Sequence, residues 1–289
     1  MNLINRVKKK ITKKNKKKIN FSFELFPPSK LLFEKKFFSF IKKINKLNPT
    51  FISITHGANN GNRNNTYNFI KIIRKIVDVE LVPHMTCINN TRHSLKKNAK
   101  MYCTEKINHI IALRGDNFKK NTIYKMYAID LIILLKKISN FFISVAAYPE
   151  VHPEAKSAQF DLLHLKKKFD YGANQAITQF FFDIENFLRF RDKCFGIGIK
   201  KKIIPGILPI YDFNQVYKFC LLSNIYIPNW LKNLYIKYNY NSIHQNKSIG
   251  LDLAVNMIES LYKEGIHDFH IYTLNKLDFS YSICKNINL

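Results

Sequence analysis

The sequence of 289 residues has few acidic residues and few cysteines. Asp and Glu number 20 against 47 Lys and Arg, which gives a formal net charge of +27. The five cysteines form no Cys-x-x-Cys pair and are odd in number, which argues against a disulfide framework or a zinc site and favours a reducing compartment. No apolar run reaches the ~20 residues of a membrane helix, and the basic N-terminus lacks the apolar core of a signal peptide. We therefore expect a soluble, cytoplasmic protein without a membrane segment.

The excess of positive charge has two explanations. A protein with this imbalance can bind nucleic acid. Alternatively, an AT-rich coding sequence favours Lys, Asn, Ile and Phe, which are abundant here, whereas Arg, the better bidentate partner for phosphate and guanine, is scarce. The charge is also spread along the chain. We favour coding bias and do not predict a nucleic-acid partner.

Residues 1–19 are predicted to form a lysine-rich tail, and residues 20–289 a single folded domain. The tail lacks acidic residues, and like charges at this density repel one another, so it is either a frayed helix or a disordered segment. Such a tail can contact RNA or a membrane surface, although a solvated tail is more common. The hydrophobic fraction of 46% is ordinary for a globular protein, which supports a large core in the remaining residues.

Strand-like and helix-like segments alternate through the predicted domain. The strand-like runs are Phe21–Phe26, Phe51–His56, Glu80–His84, His109–Leu113, Phe142–Tyr148, Ala176–Phe181, Lys202–Leu208 and His267–Tyr272. The helical patterns are Leu32–Asn45, Tyr67–Val77, Thr91–Tyr102, Tyr124–Ser139, Phe160–Tyr171, Ile184–Phe195, Phe213–Leu222 and Asp252–Glu264. This alternation indicates a parallel sheet with right-handed crossovers. The stretch Ile225–Ser248 breaks the pattern, and we interpret it as an insertion that is helical in part.

Eight such units in about 250 residues are typical of a closed barrel. The rival architecture, an open doubly wound sheet, usually carries G-x-G-x-x-G after its first strand, and this motif is absent, as is the Walker A pattern. We therefore predict an α/β fold, a single-domain (β/α)8 TIM barrel. In such barrels the active site lies at the C-terminal ends of the strands.

The first strand-like run carries a carboxyl group among aromatic residues. With a period of two, Phe21, Phe23 and Leu25 share one face of the strand, whereas Glu24 lies on the other. Desolvation would raise the pKa of Glu24, which suits a general acid. A buried Glu that is paired with Lys or Arg is equally compatible with the pattern.

Polar residues also end other strands. Arg114-Gly115-Asp116 follows the fourth strand, although Gly and Asp are common in ordinary turns. Tyr148 and His152 follow the fifth strand and suit a flat organic ligand, since His152 has no partner at metal-ligand spacing and no metal site is predicted. The sixth strand carries Gln179, whose amide can donate and accept at the edge of a heterocycle, although a lone Gln more often binds backbone.

Ten segments resemble, in the expected order, the bacterial-type FAD-dependent methylenetetrahydrofolate reductases. They span nearly all of residues 20–285, and the most specific are SVAAYPEVHPEAKSA (144–158) and AITQFFFD (176–183), accompanied by FSFELFPP (21–28), ALRGD (112–116) and DFHIYTLN (268–275). The resemblance implies reduction of 5,10-methylenetetrahydrofolate to 5-methyltetrahydrofolate. NADH would first reduce FAD and leave, and hydride would then pass from flavin N5 to the folate bound in the same place. The product would supply methyl groups for methionine synthesis, and the enzyme would be a homotetramer.

The resemblance also implies roles for individual residues. Glu24 matches the proton donor to N10 of the folate, and Asp116 matches an acid that contacts flavin and pterin and stabilises the cationic iminium. The implied substrate contacts are Asp116, Gln179, Gln215, Phe219 and Lys276. The implied cofactor contacts are Thr55, His56, Ala58, His84, Arg114, Gly115, Asp116, Tyr127, Ala128, Tyr148, His152, Ala155, Asp161, His164, Lys167 and Lys168.

Four site positions depart from the family's pattern. His56 stands in place of Tyr and His164 in place of Asn, whereas Lys167 and Lys276 stand in place of Arg. Because Lys lacks the bidentate fork of Arg, we predict weaker folate or FAD affinity than in an Arg-bearing relative, with the chemistry intact. Isothermal titration calorimetry of both proteins measures this difference, and equal affinities would contradict the prediction.

Two other functions compete with this one. Another FAD-dependent barrel oxidoreductase, similar to proline dehydrogenase, is the enzymatic alternative, but Gln179 and the pair Glu24 and Asp116 favour the folate enzyme. A basic RNA-binding protein would need base-stacking aromatic residues on a basic face. The Phe and Tyr residues here fall instead largely in core-like runs.

Overall fold

The computed structural model describes residues 17–28, 35–56, 64–115, 126–237 and 242–287. Eight parallel strands form a closed barrel in chain order, and the last pairs with the first. These strands are β1 (Asn20–Leu25), β2 (Phe51–Ile54), β3 (Leu81–Thr86), β4 (His109–Leu113), β5 (Phe142–Ala147), β6 (Gln175–Phe180), β7 (Lys202–Ile207) and β8 (Asp268–Tyr272). The predicted (β/α)8 barrel is confirmed, and each strand boundary lies within two residues of its predicted position.

Ten helices in the described ranges surround the barrel. They are α1 (Lys35–Asn45), α2 (Asn64–Ile73), α3 (Arg92–Thr104), α4 (Ala128–Ile138), α5 (Ala158–Asp170), α6 (Ile184–Gly196), α7 (Phe213–Ser223), α8 (Asn229–Lys237), α9 (Ile243–Lys263) and α10 (Leu277–Asn286). Each of the eight predicted helical patterns coincides with a helix. Helix α2 was placed three to four residues too late, because its start carries the polar sequence Asn64-Asn65-Thr66 rather than an apolar period.

The predicted insertion Ile225–Ser248 is correct only in part. It contains α8 and also the first turns of α9, which begins at Ile243 rather than at Asp252. Asn246 is buried in these first turns, and its side-chain oxygen accepts a hydrogen bond from the Phe213 amide at 3.1 Å. An apolar period does not mark this part of the helix, because the residues that it packs inward are Asn246 and Gly250. Helix α10, which follows the last strand, was not predicted.

Alternation along the strands separates two cores. Phe23 and Leu25 belong to the large core between the barrel and the helices. The barrel interior holds a second apolar cluster, to which five strands contribute the buried residues Phe51, Val82, Ile111, Ile177 and Ile204. The Phe51 ring contacts the rings of His109 and His270. The face opposite to Phe23 and Leu25, on which Glu24 was predicted, therefore points into the barrel.

Polar side chains inside the barrel form hydrogen bonds with one another, below the C-terminal ends of the strands. The hydroxyl of Ser22 lies 2.8 Å from Nδ1 of His270. On the opposite wall, the Ser144 hydroxyl lies 2.7 Å from Nε2 of His109 and accepts a hydrogen bond from the Gln175 amide at 2.9 Å. Burial lowers the pKa of His270 to about 3, so its ring is neutral. The pair of Ser22 and His270 therefore places polar groups in the barrel interior without adding a buried charge.

The five cysteines are free thiols. Within the ranges that the structure describes, no helix is both long and apolar enough to cross a membrane. The same ranges contain no group of three or more His, Cys, Asp or Glu side chains that could hold a metal ion.

Candidate active site

Glu24 lies on β1, one residue before its C-terminal end, and its side chain enters the barrel mouth. It is 9% exposed, and burial raises its pKa to about 8. Its Oε2 atom lies 3.6 Å from Nε2 of His84 on β3. Burial, together with His56, lowers the pKa of His84 to about 3. At neutral pH both side chains are therefore uncharged, and among the described residues Glu24 has no Lys or Arg partner.

Strand β6 is irregular near its C-terminal end. Its pairing with β7 shifts between Ile177 and Phe180, and such bulges re-aim side chains near active sites. Gln179 lies in the shifted segment and is half-buried, and its Oε1 atom accepts a hydrogen bond from the Phe180 amide at 3.1 Å. Thr178 binds residues of β7 and β8: its hydroxyl accepts a hydrogen bond from the Gly206 amide on β7 at 2.9 Å, and its carbonyl accepts one from the Tyr272 hydroxyl on β8 at 2.8 Å.

Several buried side-chain atoms have no hydrogen-bond partner in the described part of the chain, and two of them lie near the C-terminal ends of β2 and β3. These two are Oγ1 of Thr55, directly after β2, and Nε2 of His84. A buried donor or acceptor without a partner is costly, so native proteins rarely leave one except where a ligand or water completes it. Both atoms belong to residues for which the sequence predicted cofactor contacts.

Two cationic side chains lie near the C-terminal ends of β4 and β5. Arg114 directly follows β4, and Lys168 extends from α5 to the end of β5. Arg114 forms a two-pronged ion pair with Glu154, in which Nη2 lies 2.7 Å from Oε1. The Lys168 ammonium donates to the Ala146 carbonyl at 2.9 Å, and burial lowers its pKa to about 8. These two cations lie on the same side of the barrel mouth and suit an anionic ligand group.

The segment between β5 and α5 is tightly constrained. Val151 has φ of 71°, which is strained for a β-branched residue and occurs where surrounding contacts enforce it. The neighbouring His152 amide donates to the Asp161 carboxylate at 2.9 Å, and the His152 carbonyl accepts from the Ala155 amide at 2.9 Å. The rings of Tyr148 and His152 meet edge to face with centroids 4.6 Å apart. The segment therefore presents a pre-formed aromatic surface.

The remaining predicted cofactor residues are more dispersed. Gly115 has φ of 89° and closes the end of β4. Tyr127 is exposed and is the N-cap residue of α4, and Ala128, the first residue of this helix, is buried. On α5, the His164 ring stacks on Phe160, and Lys167 is exposed. Ala58 and Asp116 lie outside the described residues.

Four of the five predicted substrate residues lie in the described part of the chain: Gln179 on β6, Gln215 and Phe219 on α7, and Lys276 directly before α10. Gln215 and Phe219 are one turn apart on α7, and Gln215 is exposed. Phe219 packs against a further buried apolar cluster, which includes Phe180 and Phe213. Lys276 precedes α10, and its ammonium lies 4.7 Å from the centroid of the Tyr211 ring. The residues at the end of β8, Tyr272, Thr273 and Asn275, were not predicted as site residues. Their position at a strand end is the same signal that identified Arg114 and Tyr148.

The fold and this rim define a (β/α)8-barrel enzyme with an uncharged, buried carboxyl group at the barrel mouth. The chain matches the family model described as "Methylenetetrahydrofolate reductase" over residues 7–288, and it belongs to that family of oxidoreductases. It is 48% identical over 283 residues to 5,10-methylenetetrahydrofolate reductase of Buchnera aphidicola subsp. Schizaphis graminum, covering 98% of this chain and 96% of that protein.

Two further comparisons agree with the family assignment and the fold. The chain is 47% identical over 271 residues to the enzyme of the same name from Escherichia coli K12, covering 94% of this chain and 91% of that one. A solved structure of an uncharacterized protein from Clostridium thermocellum, which binds two copies of 5-methyl-5,6,7,8-tetrahydrofolic acid, superimposes with a TM-score of 0.65. It shares 15% sequence identity and covers 96% of each chain, so this likeness shows the fold alone.

Proposed function

We propose that the chain reduces 5,10-methylenetetrahydrofolate to 5-methyltetrahydrofolate, with bound FAD, NADH as electron donor and Glu24 as proton donor. The observation that carries the proposal is the Glu24 carboxyl group, which is buried at the barrel mouth and keeps its proton at neutral pH because burial raises its pKa to about 8. A carboxylic acid with a pKa near the working pH is suited to general acid catalysis. The names of the similar proteins point to the same substrate.

The residues at the rim fit FAD. Thr55 and His84 each have a buried atom without a partner among the described residues, and these atoms can bind the polar edge of a ring. Arg114 and Lys168 can bind phosphate groups. Bound FAD would supply the two-electron redox chemistry that links oxidation of NADH to reduction of the folate. We propose cofactor contacts from Thr55, His56, Ala58, His84, Arg114, Gly115, Asp116, Tyr127, Ala128, Tyr148, His152, Ala155, Asp161, His164, Lys167 and Lys168.

Protonation by Glu24 would open the five-membered ring of the substrate. The proton moves from the carboxyl oxygen to N10 of the folate, the bond between N10 and the methylene carbon breaks, and the positive charge remains on an iminium at N5. Asp116, which lies outside the described residues, would stabilise this cation electrostatically. Gln179 would bind the pterin edge, and Gln215, Phe219 and Lys276 would complete the substrate site.

The colour and redox behaviour of the purified protein test the proposal. A yellow preparation should release FAD on denaturation, NADH should bleach it, and methylenetetrahydrofolate should restore the colour. Restoration by folate distinguishes this enzyme from a proline-dehydrogenase-like flavoprotein. A colourless protein that cannot bind added FAD would refute both flavin functions, and the RNA-binding alternative would then be tested directly.

The folate half-reaction should depend on pH through Glu24. Because the carboxyl group must be protonated to act, the rate of flavin reoxidation by saturating folate should be full below pH 7 and fall about tenfold per unit above pH 8. The rate of flavin reduction by NADH should lack this decrease. Stopped-flow absorbance from pH 6 to 10 measures both rates. A folate rate that rises through pH 8 would contradict a protonated Glu24.

We propose that the product supplies methyl groups for methionine synthesis and that the protein is a cytoplasmic homotetramer. We also keep the proposed division into a tail, residues 1–19, and a catalytic barrel, residues 20–289. Residues 1–16 lie outside the described ranges.

A further inference from the structure

The turn after β8 holds the end of β1 through side-chain hydrogen bonds. The Thr273 hydroxyl donates to the backbone carbonyl of Glu24 at 2.5 Å. The Asn275 side chain binds both backbone groups of Phe26. Its Oδ1 accepts a hydrogen bond from the Phe26 amide at 2.9 Å, and its Nδ2 donates one to the Phe26 carbonyl at 3.0 Å. These three bonds join residues that are 249 positions apart in the chain.

The turn itself is held in an unusual conformation. Leu274 and Asn275 have φ of 45° and 58°, a region that leucine rarely adopts. The Thr273 hydroxyl, while it donates to Glu24, accepts a hydrogen bond from the Asn275 amide at 3.0 Å, and the Thr273 carbonyl accepts from the Lys276 amide at 2.7 Å. Such a conformation persists where several contacts enforce it together, and it occurs often at functional sites.

The Glu24 side chain depends on this backbone for its position. In the described part of the chain its carboxyl group has no hydrogen bond of its own, since Nε2 of His84 is 3.6 Å away. The direction of the carboxyl group is therefore determined by the β1 backbone, which Thr273 and Asn275 bind on both sides of Leu25. Proton transfer requires the acid within hydrogen-bond reach of the substrate nitrogen.

We propose that Thr273 and Asn275 are positioning residues that align the Glu24 carboxyl group for proton transfer. The inference rests on the proposed function of Glu24. It also links two parts of the site, because the residue that follows Asn275 in the same turn is Lys276, the proposed substrate contact. The turn would thereby hold the Glu24 carboxyl group and the Lys276 side chain in fixed positions relative to each other.

Variants of the FAD-loaded protein test the inference in the two half-reactions. Asn275→Ala removes both bonds to Phe26, and Thr273→Val removes the hydroxyl while keeping a β-branched side chain of similar volume. Each should slow flavin reoxidation by methylenetetrahydrofolate about 10- to 100-fold and leave flavin reduction by NADH unchanged. Thr273→Ser, which keeps the hydroxyl group, should retain most of the parent rate of flavin reoxidation.

The matched control is Asn20→Ala. Asn20 also joins β1 to β8, through a 3.2 Å hydrogen bond from its Nδ2 to Oδ1 of Asp268, but it does so at the opposite end of the strand. This variant should leave both half-reactions unchanged. If it slowed the folate half-reaction as much as Asn275→Ala does, a general loosening of β1 would explain the effect and the inference would be wrong.

A double variant separates positioning from other roles. If Asn275 acts through Glu24, then Asn275→Ala should cause no further loss in a Glu24→Gln background, because the group that it positions is already absent. Additive losses, or a folate half-reaction that Asn275→Ala and Thr273→Val leave intact, would overturn the inference. If Glu24→Gln itself leaves the folate half-reaction intact, the proposed function fails instead, and the two failures are thus distinguishable.

Discussion

Glu24→Gln is expected to slow folate reduction by about 10²- to 10⁴-fold while NADH still reduces the bound flavin at the parent rate. Gln has nearly the same shape as the protonated acid that the buried site contains, but it has no transferable proton. The loss of a general acid costs about 10²- to 10⁴-fold in rate, and here only the folate half-reaction would need the acid. Stopped-flow measurement of each half-reaction, with FAD content recorded for every preparation, checks this result.

The stability of the same variant provides an independent check. Because burial raises the pKa of Glu24 to about 8, its contribution to stability is full below about pH 4.5 and is lost as the pH rises through 8. At pH 9 the variant should therefore be more stable than the parent, by on the order of 2–4 kcal/mol.

The control variant is Glu80→Gln. Glu80 lies immediately before β3, at the opposite end of the barrel from Glu24, and pairs with His109 across 3.4 Å. Its replacement should leave both half-reactions unchanged. If Glu24→Gln instead slowed both half-reactions equally, Glu24 would have a structural role rather than a catalytic one.

Gly250→Ala is expected to cause a large loss of stability. Gly250 lies in α9 where this helix packs directly on the segment after β7, and a Cβ atom there would lie 1.9 Å from the Ile210 carbonyl oxygen. Since the neighbouring group is backbone, it cannot move aside as a flexible side chain would. Overpacking of this kind costs about 3 kcal/mol or more, measurable as the free energy of unfolding in urea.

Gly196→Ala is the matched control for that substitution. Gly196 is also helical, as the last residue of α6, and a Cβ atom there would have no neighbour within 4 Å. Alanine is the better helix former, so this variant should be neutral or more stable by up to about 1 kcal/mol. Equal losses from both substitutions would show that the cost comes from the loss of glycine itself and not from contact with Ile210.

The alternation of apolar runs allowed most of the fold to be predicted. Strand β4 occurs at its predicted boundaries, and the interior face of β1 follows from its period of two, because side chains alternate across every strand. The start of α9 could not be predicted from an apolar period. Its first turns pack Asn246 and Gly250 inward, and these positions are defined by the Phe213 amide and the Ile210 carbonyl rather than by apolar surface.

The candidate site was predictable as a set of positions but not as an arrangement. Thr55, His84, Arg114, Tyr148 and Gln179 all fall at or near strand ends, as predicted. The sequence pattern did not decide whether Glu24 is a general acid or a member of a buried ion pair with Lys or Arg. Its partner had to come from another strand, and only the closed barrel shows that the neighbour is an uncharged His84 instead of a Lys or Arg.

By itself, the sequence determined the order of the strands and helices, the face of β1 on which Glu24 lies and the family to which its motifs point. These properties depend on neighbouring residues and on a local period, which the linear order contains. Tertiary structure alone decided the pKa of Glu24, the bulge beside Gln179 and the attachment of β1 to Thr273 and Asn275. Desolvation and hydrogen bonds between distant segments arise only when the barrel closes, because closure brings β8 beside β1.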